Sequence, residues 1–265
     1  MTPPRRALVT GASSGIGAAL AEEYARHGWS LVLTARRADL LEALAARLAR
    51  VHGVDTMVVA ADLSDPAAID QVLAPFGDRG PDAVINNAGF SRISSFAATP
   101  LAEHQAMLQV MLAAPVALAR RALPGMLDRR FGRILNVSSV AGFLPATGGD
   151  TLYGPIKGFL TQASRGLHLE ARGAGVHVTA LCPGLTRSGF HDANGSIAQM
   201  SRAAPAWMWM SSEAVARAGY AACEANRAVE VTGLVNKAAV GLLKVLPGSL
   251  AMAIAGGRAR RLGRL

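Results

Sequence analysis

The sequence has few of the residues that cross-link secreted domains or bind metals. Only Cys182 and Cys223 among its 265 residues are cysteines, too few for a disulfide framework or a zinc site. The histidines lie singly, without the spacing of metal ligands, so we expect no metal. The N-terminal residues lack the long hydrophobic region of a signal peptide, and no uncharged apolar run reaches the roughly 18 residues that cross a bilayer. These absences favour a protein of the reducing cytoplasm.

Aromatic and acidic residues are scarce in the C-terminal part of the chain. Segment 226–265 contains no aromatic residue, and its seven Lys and Arg residues face Glu230 alone, so it supplies +6 of the formal net charge of +9. Without aromatic side chains to stack on bases, nucleic-acid binding is disfavoured. The basic, apolar tail 236–265 either lies in solvent or at an oligomer contact, or attaches to an anionic membrane surface through its interleaved hydrophobic residues.

Hydrophobic residues make up 51% of the chain and occur in short runs between helical stretches. The pattern predicts strands at 7–9, 30–34, 57–60, 83–85, 133–137 and 176–181, and helices at 18–27 and 39–51. Repeated strand–helix units of this kind predict an α/β fold with a doubly wound, Rossmann-like parallel sheet and helices on both faces. No linker or repeat divides the sequence, so we expect one domain over 1–265.

A glycine-rich turn, Gly11-Ala12-Ser13-Ser14-Gly15-Ile16-Gly17, joins the first strand to the first helix. Glycines let the backbone approach a phosphate closely, and a helix start offers free N–H groups, so this context predicts a dinucleotide site. After the second strand, Arg36 and Arg37 occupy the position where a carboxylate would favour NAD(H). We therefore expect NADP(H), with Arg36 as the first candidate for the 2′-phosphate. The alternative is that both arginines are simply exposed at a helix start.

Tyr153 and Lys157 stand four residues apart, a spacing that places two side chains on one helix face. The lysine ammonium can then favour the phenolate electrostatically, and such a tyrosine can exchange protons with a carbonyl oxygen. Pro155 lies between them, and proline is tolerated only in the first helical turn. We therefore predict a helix that begins at or just before Tyr153.

Further motifs follow in a characteristic order and spacing. They are Asp62-Leu63, Asn86-Asn87-Ala88-Gly89, Asn136-Val137-Ser138-Ser139 and Pro183-Gly184. With the glycine turn and the Tyr153–Lys157 pair, they make the sequence resemble the short-chain dehydrogenase/reductase (SDR) family, in its compact single-domain branch, over about residues 5–235.

The resemblance implies a role for each motif. Tyr153 would be the general acid/base, Lys157 would bind the nicotinamide ribose and lower the tyrosine pKa, and Ser139 would hydrogen-bond the substrate oxygen. Asn87 would stabilise the sheet. The other implied cofactor contacts are Gly11, Ser13, Ser14, Gly15, Ile16, Gly17, Asp62, Leu63, Asn86, Ala88, Gly89, Pro183, Gly184 and Thr186.

Two departures from the family pattern concern the catalytic centre. Ser139 stands 14 residues before Tyr153 rather than the usual 13 or so. Motif alignment still selects Ser139, with one extra residue within 146–151, and Ser138 is interpreted as a buried structural hydroxyl. Where the family places an asparagine that helps hold a relay water, this chain has Met111, which cannot donate a hydrogen bond. Gln109 or another group replaces that asparagine, or protons follow a different water path.

Segment 186–212 is irregular and ends in Trp207-Met208-Trp209-Met210, which predicts a substrate lid after the sixth strand. These side chains either belong to the core or line an apolar pocket. Other apolar candidates for that pocket are Phe90, Ile93, Phe143, Leu144 and Phe190. Cys182, beside Pro183, is interpreted as a small buried hydrophobe.

Together these features predict an NADP(H)-dependent oxidoreductase that transfers a hydride between the nicotinamide and a hydrophobic ketone, aldehyde or alcohol. A second hypothesis, motivated by Met111 and the extra residue, is an NADP(H)-binding protein with little or no catalytic activity that acts through a partner. The resemblance also implies a homo-oligomer built through the helices that carry Met111 and Tyr153.

Overall fold

The centre of the fold is a sheet of seven parallel strands. The computed structural model describes residues 4–146, 149–188 and 205–261. The strands are β1 Arg6–Thr10, β2 Ser30–Ala35, β3 Thr56–Ala60, β4 Ala83–Asn86, β5 Gly132–Val137, β6 Val176–Cys182 and β9 Val229–Val231. Their order is β3-β2-β1-β4-β5-β6-β9, and every neighbouring pair is parallel. This confirms the doubly wound α/β sheet; the short strand β9 was not predicted.

Helices cover both faces of this sheet. They are α1 Gly15–Arg26, α2 Ala38–His52, α3 Ala68–Leu73, α4 Leu101–Leu108, α5 Ala114–Asp128, α6 Tyr153–Ala171, α7 Ser212–Glu224, α8 Leu234–Val245 and α9 Gly248–Arg261. Side chains of α1, α2 and α7 build the core on one face, and those of α3, α4, α5 and α6 build it on the other. The predicted helices 18–27 and 39–51 correspond to α1 and α2.

Strand β1 contributes side chains to the hydrophobic cores on both faces of the sheet. Ala7 and Val9 pack in the first core and Leu8 in the second, because successive side chains of a strand point to opposite faces. All three are completely buried, as expected for a central strand of a parallel sheet.

Segment Leu101–Asp128 is long and apolar enough to cross a membrane by length and composition alone. Its buried residues, which include Met111, Leu118 and Met126, instead pack in the second core. A π-helical turn, Gln109–Ala113, joins α4 to α5 within this segment. The segment is thus a core helix of the sheet, while part of its surface faces outward.

The strand order reverses between β1 and β4, which are neighbours in the sheet. Connections leave the two strands in opposite directions there, and open α/β sheets bind ligands in the crevice outside such a switch point. The glycine turn follows β1, and Asn87-Ala88-Gly89 follows β4. The fold therefore brings these two predicted motifs to the same edge.

A second, two-stranded parallel sheet lies after β6. It pairs β7, Thr186–Arg187, with β8, Met210–Ser211. These strands bound the predicted lid 186–212, of which residues 189–204 lie outside the described part of the chain.

Candidate functional site

The glycine turn forms a cradle that side chains would fill. Gly11 and Gly15 have φ angles of +65° and +57°, in the left-handed region that favours glycine. A Cβ at Gly17 would stand 2.2 Å from the Gly11 carbonyl oxygen, so only glycine lets α1 begin against the turn. Ser14 is the N-cap of α1, and no cap hydrogen bond from its side chain occupies the first N–H groups of the helix. These features fit a phosphate-binding cradle.

Thr10 and Asn87 tie this cradle to the end of β4. The Thr10 hydroxyl accepts hydrogen bonds from the backbone N–H of Asn87 at 2.9 Å and of Ala88 at 3.0 Å. The Asn87 amide donates to the carbonyls of Thr10 and Gly11 at 3.0 and 3.2 Å. Asn87 thus has the structural role that the resemblance implies, and it fixes both sides of the crevice.

Arg37 reaches across to the cradle. Its guanidinium donates to the hydroxyls of Ser13 at 3.0 Å and Ser14 at 3.2 Å. Arg36 is exposed and lies near Asp62. A backbone hydrogen bond from Ser64 lowers the pKa of Asp62, and the Arg36 charge lowers it further. The guanidinium groups of two arginines and the hydroxyls of two serines therefore lie near the carboxyl end of β2. Arg37, rather than Arg36, hydrogen-bonds the serines.

Asn86 lies deeper in the sheet than the other predicted contacts. It is buried, and its amide donates to the Asn136 side chain at 2.8 Å, which in turn donates to Ser164 at 2.9 Å. This chain of hydrogen bonds links β4, β5 and α6. The described contacts of Asn86 are thus to the protein interior, and its contact with a cofactor stays a prediction.

Helix α6 begins at Tyr153, as the position of Pro155 requires. Pro155 falls in the first turn, where helix N–H groups have no partner within the helix. Lys157 follows one turn later, with Nζ 5.6 Å from the centre of the tyrosine ring. Its ammonium is buried and donates to the Val137 carbonyl at 2.7 Å, which anchors it at the end of β5.

The two serines after β5 point to different partners. Ser139 hydrogen-bonds the Tyr153 side chain and caps the short 3₁₀ turn Val140–Phe143 by accepting from Ala141 N at 3.1 Å. Ser138 is buried and donates to the Lys157 carbonyl at 2.6 Å. Ser139 is thus the serine beside Tyr153, and its contact with a substrate oxygen stays a prediction, whereas the contacts of Ser138 are to the protein interior.

Burial is the largest influence on the pKa values of Tyr153 and Lys157. It raises the pKa of Tyr153 well above the ordinary value; the Ser139 hydrogen bond lowers this pKa, and the Asp150 carboxylate raises it. Burial also lowers the pKa of Lys157 to about 8, against a smaller opposing effect of Cys182. Lowering of the tyrosine pKa by Lys157 therefore stays a prediction.

Asp150 belongs to the segment that holds the extra residue. It is buried, its carboxylate accepts a short hydrogen bond from Ser91, and its backbone carbonyl accepts from Tyr153 N at 3.3 Å. A negative charge is thus fixed at the N-terminus of the helix that carries Tyr153, where the helix dipole favours it.

Met111 is completely buried within the π-helical turn. A Cβ at Gly89 would lie 3.3 Å from Met111 Cγ and 3.4 Å from its sulfur, so the thioether packs directly against the end of β4. The side chain at the family's asparagine position therefore offers no hydrogen-bond donor here.

The Pro183-Gly184 motif lies at the end of β6. A Cβ at Gly184 would stand 2.3 Å from Asn236 Nδ2, so the Asn236 side chain on α8 packs directly on this glycine. Thr186 is buried, and its hydroxyl donates to the Gly184 carbonyl at 3.1 Å. Cys182 is fully buried, which confirms its interpretation as a small core residue.

A small cavity of about 20 Å³, roughly the space of one water molecule, lies beside the start of α6. Apolar side chains supply much of its lining, together with charged groups. The lining residues are Phe90, Arg92, Ser94, Phe96, Thr99, Glu103, His104, Met107, Asp150, Thr151 and Leu152.

The aromatic and methionine residues predicted for the lid are not one cluster. Trp207 is 68% exposed, so it is not a core residue, whereas Met210 packs against the first core. Phe190 lies outside the described residues. Within the described ranges, no group of three or more His, Cys, Asp or Glu side chains could hold a metal ion.

Comparison with known proteins identifies the family. A family profile described as short chain dehydrogenase matches residues 5–197. The chain belongs to this family. Serine 3-dehydrogenase of Rhizobium radiobacter is 38% identical to this SDR over 187 residues, covering 69% of this chain and 72% of the relative. The NADP-dependent 3-hydroxy acid dehydrogenase YdfG of Salmonella typhi is 33% identical over 181 residues, covering 67% and 71%.

A solved structure extends the similarity over most of the SDR chain. The short-chain dehydrogenase of Sphingobium yanoikuyae in complex with NADPH matches with a TM-score of 0.79 at 31% identity, covering 92% of this chain and 96% of that one. The resemblance inferred from the motifs is confirmed, and with it the oxidoreductase class.

Some residues of the site were not predicted. Asn236 lies in the tail 236–265, which was interpreted from its charge and apolar residues alone. Asp150 was considered only as part of segment 146–151, which holds the extra residue. Gly142 and Gly158 permit a close contact between the 3₁₀ turn after Ser139 and α6, since a Cβ at Gly142 would stand 2.7 Å from Gly158 N. A glycine directly after Lys157 was the available signal for this contact.

Proposed function

We propose that this SDR uses NADP(H) to interconvert a hydrophobic ketone or aldehyde and the corresponding alcohol. The observation that carries the proposal is the Ser139–Tyr153 hydrogen bond at the start of α6, with Lys157 one turn further on. These groups lie after β5, and the glycine cradle lies after β1, at the same edge of the parallel sheet.

The chain's own groups can manage the proton and the developing charge. During reduction, Ser139 Oγ would donate a hydrogen bond to the carbonyl oxygen, and the Tyr153 hydroxyl would transfer its proton to that oxygen. NADPH, when bound, supplies the hydride that the carbonyl carbon accepts. The Lys157 ammonium would stabilise the resulting tyrosinate. In alcohol oxidation the same groups act in reverse.

The preference for NADP(H) is supported by Arg36 and Arg37. Both follow β2, where a 2′-phosphate would lie, and the residues there include no carboxylate that would favour NAD(H). Arg37 already bridges to Ser13 and Ser14, so the phosphate would meet a prepared set of donors. The NADPH complex of the Sphingobium relative and the NADP-dependence of the Salmonella relative support the same cofactor.

The substrate class is inferred from the apolar side chains around the small cavity beside α6. Phe90, Phe96, Met107 and Leu152 contribute apolar surface to it, which favours a carbonyl compound with a hydrophobic group. The family profile ends at residue 197, so α7, α8 and α9 lie beyond the part that it matches.

The decisive test is Tyr153→Phe, with Tyr220→Phe as the matched control. Turnover with NADPH across a panel of aldehydes and ketones should fall about 100-fold or more in the first variant and stay near wild type in the second. Undiminished turnover by folded Tyr153→Phe would overturn the assignment. If the wild type binds NADPH tightly but no aldehyde or ketone of the panel oxidises the NADPH, the second hypothesis is favoured. That hypothesis, motivated by Met111, is a cofactor-binding protein with little or no catalytic activity.

We also propose that the helices carrying Met111 and Tyr153 form a homo-oligomer contact. Leu101 and Val116 on α4 and α5 are 71% and 46% exposed, and Leu169 on α6 is 63% exposed. Analytical ultracentrifugation of Val116→Glu and Leu169→Glu tests this contact. Dissociation supports it, and unchanged sedimentation contradicts it.

A further inference from the structure

Helix α8 presents a face of large apolar side chains to solvent. Leu234, Leu242 and Val245 are 85%, 58% and 77% exposed. With Ala238 they follow the spacing i, i+4, i+8, i+11, which keeps them on one side of a helix. A surface of this kind in a water-facing helix indicates an interaction site.

The opposite side of α8 fixes the helix to the body of the protein. Val240 is buried, and Asn236 packs on Gly184 and donates to the Thr232 carbonyl at 2.8 Å. The helix also contacts the 3₁₀ turn Val140–Phe143 that follows Ser139. The apolar face is therefore held outward, close to the proposed catalytic centre.

Helix α9 also exposes apolar side chains. Leu250, Met252 and Ile254 are 48%, 51% and 55% exposed, while Ala251 and Ala259 are buried. At 1.5 Å per residue, α8 and α9 are about 18 and 21 Å long, shorter than the roughly 30 Å hydrocarbon core of a bilayer. Helices of these described lengths are suited to lie in the plane of a membrane surface.

The sequence around and beyond helix α8 contains almost only positive charges. Glu230 is the last acidic residue of the chain, and it is paired with Arg227 and Lys237. Beyond Lys237 the sequence adds five basic residues, Lys244, Arg258, Arg260, Arg261 and Arg264, and no acid. A contact between two copies would bring these like charges together, whereas anionic lipid headgroups would neutralise them.

We propose that α8 and α9 dock this protein on an anionic bilayer surface, with the apolar face inserted at the headgroup level and the basic residues on the headgroups. This arrangement combines buried apolar area with electrostatic attraction, as in-plane amphipathic helices do. The docking does not depend on the proposed chemistry.

The test is co-sedimentation of the full chain with vesicles of phosphatidylcholine containing phosphatidylglycerol, compared with phosphatidylcholine alone. Binding should require the anionic lipid and weaken at high salt. Leu242→Glu/Val245→Glu should lower it at least tenfold. The matched control is Val51→Glu/Met57→Glu, at positions 58% and 49% exposed away from the tail, and it should bind as wild type. Circular dichroism confirms folding of each variant.

Point substitutions test the apolar face more specifically than a truncation near Asn236 does. Such a truncation could also remove the Asn236 side chain that packs on Gly184. Absence of binding to anionic vesicles, or equal binding by Leu242→Glu/Val245→Glu, would overturn the proposal. The proposal would also be overturned if the wild type formed a dimer that Leu242→Glu/Val245→Glu dissociates and neither form bound vesicles. The apolar face would then be a contact between two copies of the chain. Vesicle binding is measured without substrate, so its outcome is independent of the Tyr153→Phe test.

Discussion

The side chain of Asn236 occupies the space that a Cβ at Gly184 would need, with Nδ2 only 2.3 Å from that position. Gly184→Ala must displace Asn236, which would lose its hydrogen bond to Thr232. We expect a several-fold rise in the KM for NADPH, because the displaced contact supports the loop proposed to hold the nicotinamide.

A double-mutant cycle checks this relationship. Asn236→Ala should relieve the contact, so the KM of Gly184→Ala/Asn236→Ala should lie below that of Gly184→Ala. Gly166→Ala is the control, since a Cβ there meets nothing within 4 Å. Additive effects of the two substitutions would show that Gly184 and Asn236 act independently.

Ser138 and Ser139 form a natural matched pair. Ser139→Ala should lower kcat/KM by about 100-fold, because the substrate oxygen loses a hydrogen-bond donor and Tyr153 loses its partner. Ser138→Ala should retain catalysis and lower the free energy of unfolding by about 1 kcal/mol, through loss of the bond to the Lys157 carbonyl. Steady-state kinetics and denaturant unfolding of both variants separate the roles, and the reverse pattern would exchange them.

The cofactor preference can be tested at the end of β2. Arg37→Ala should raise the KM for NADPH about tenfold and leave that for NADH nearly unchanged, because only the first carries the 2′-phosphate. Arg36→Ala tests the second cation, and Arg50→Ala on α2 is the control. An equal change for both cofactors would mean that Arg37 supports the turn rather than the phosphate.

Asp150 should affect the pH dependence of alcohol oxidation. Its negative charge raises the pKa of Tyr153, so Asp150→Asn should lower that pKa and shift the rise of kcat/KM to lower pH. Asp150→Glu, which keeps the charge, should resemble wild type. Arg92, Glu103 and His104 line the same cavity and are unchanged in both variants. An unshifted profile in Asp150→Asn would show that this carboxylate does not influence the reacting group.

The sequence predicted the features that depend on local chemistry. Short apolar runs located six of the seven central strands, and Pro155 located the start of α6, because proline restricts its own turn. The strand β9 has three residues, too few for a periodic signal. The contact of Asn236 with Gly184 joins residues more than 50 positions apart, so no local pattern encodes it.

The reactivity of the two buried thiols can report local opening of the fold. Burial raises the pKa of Cys182, and raises that of Cys223 to about 12, so neither reacts as a thiolate while the fold is closed. Cys182 ends β6 beside Pro183, whereas Cys223 lies in α7. Alkylation rates at these positions therefore report opening at two separate places without any introduced label. Protection of Cys182 by NADPH, with Cys223 unaffected, would localise the stabilisation to the binding edge.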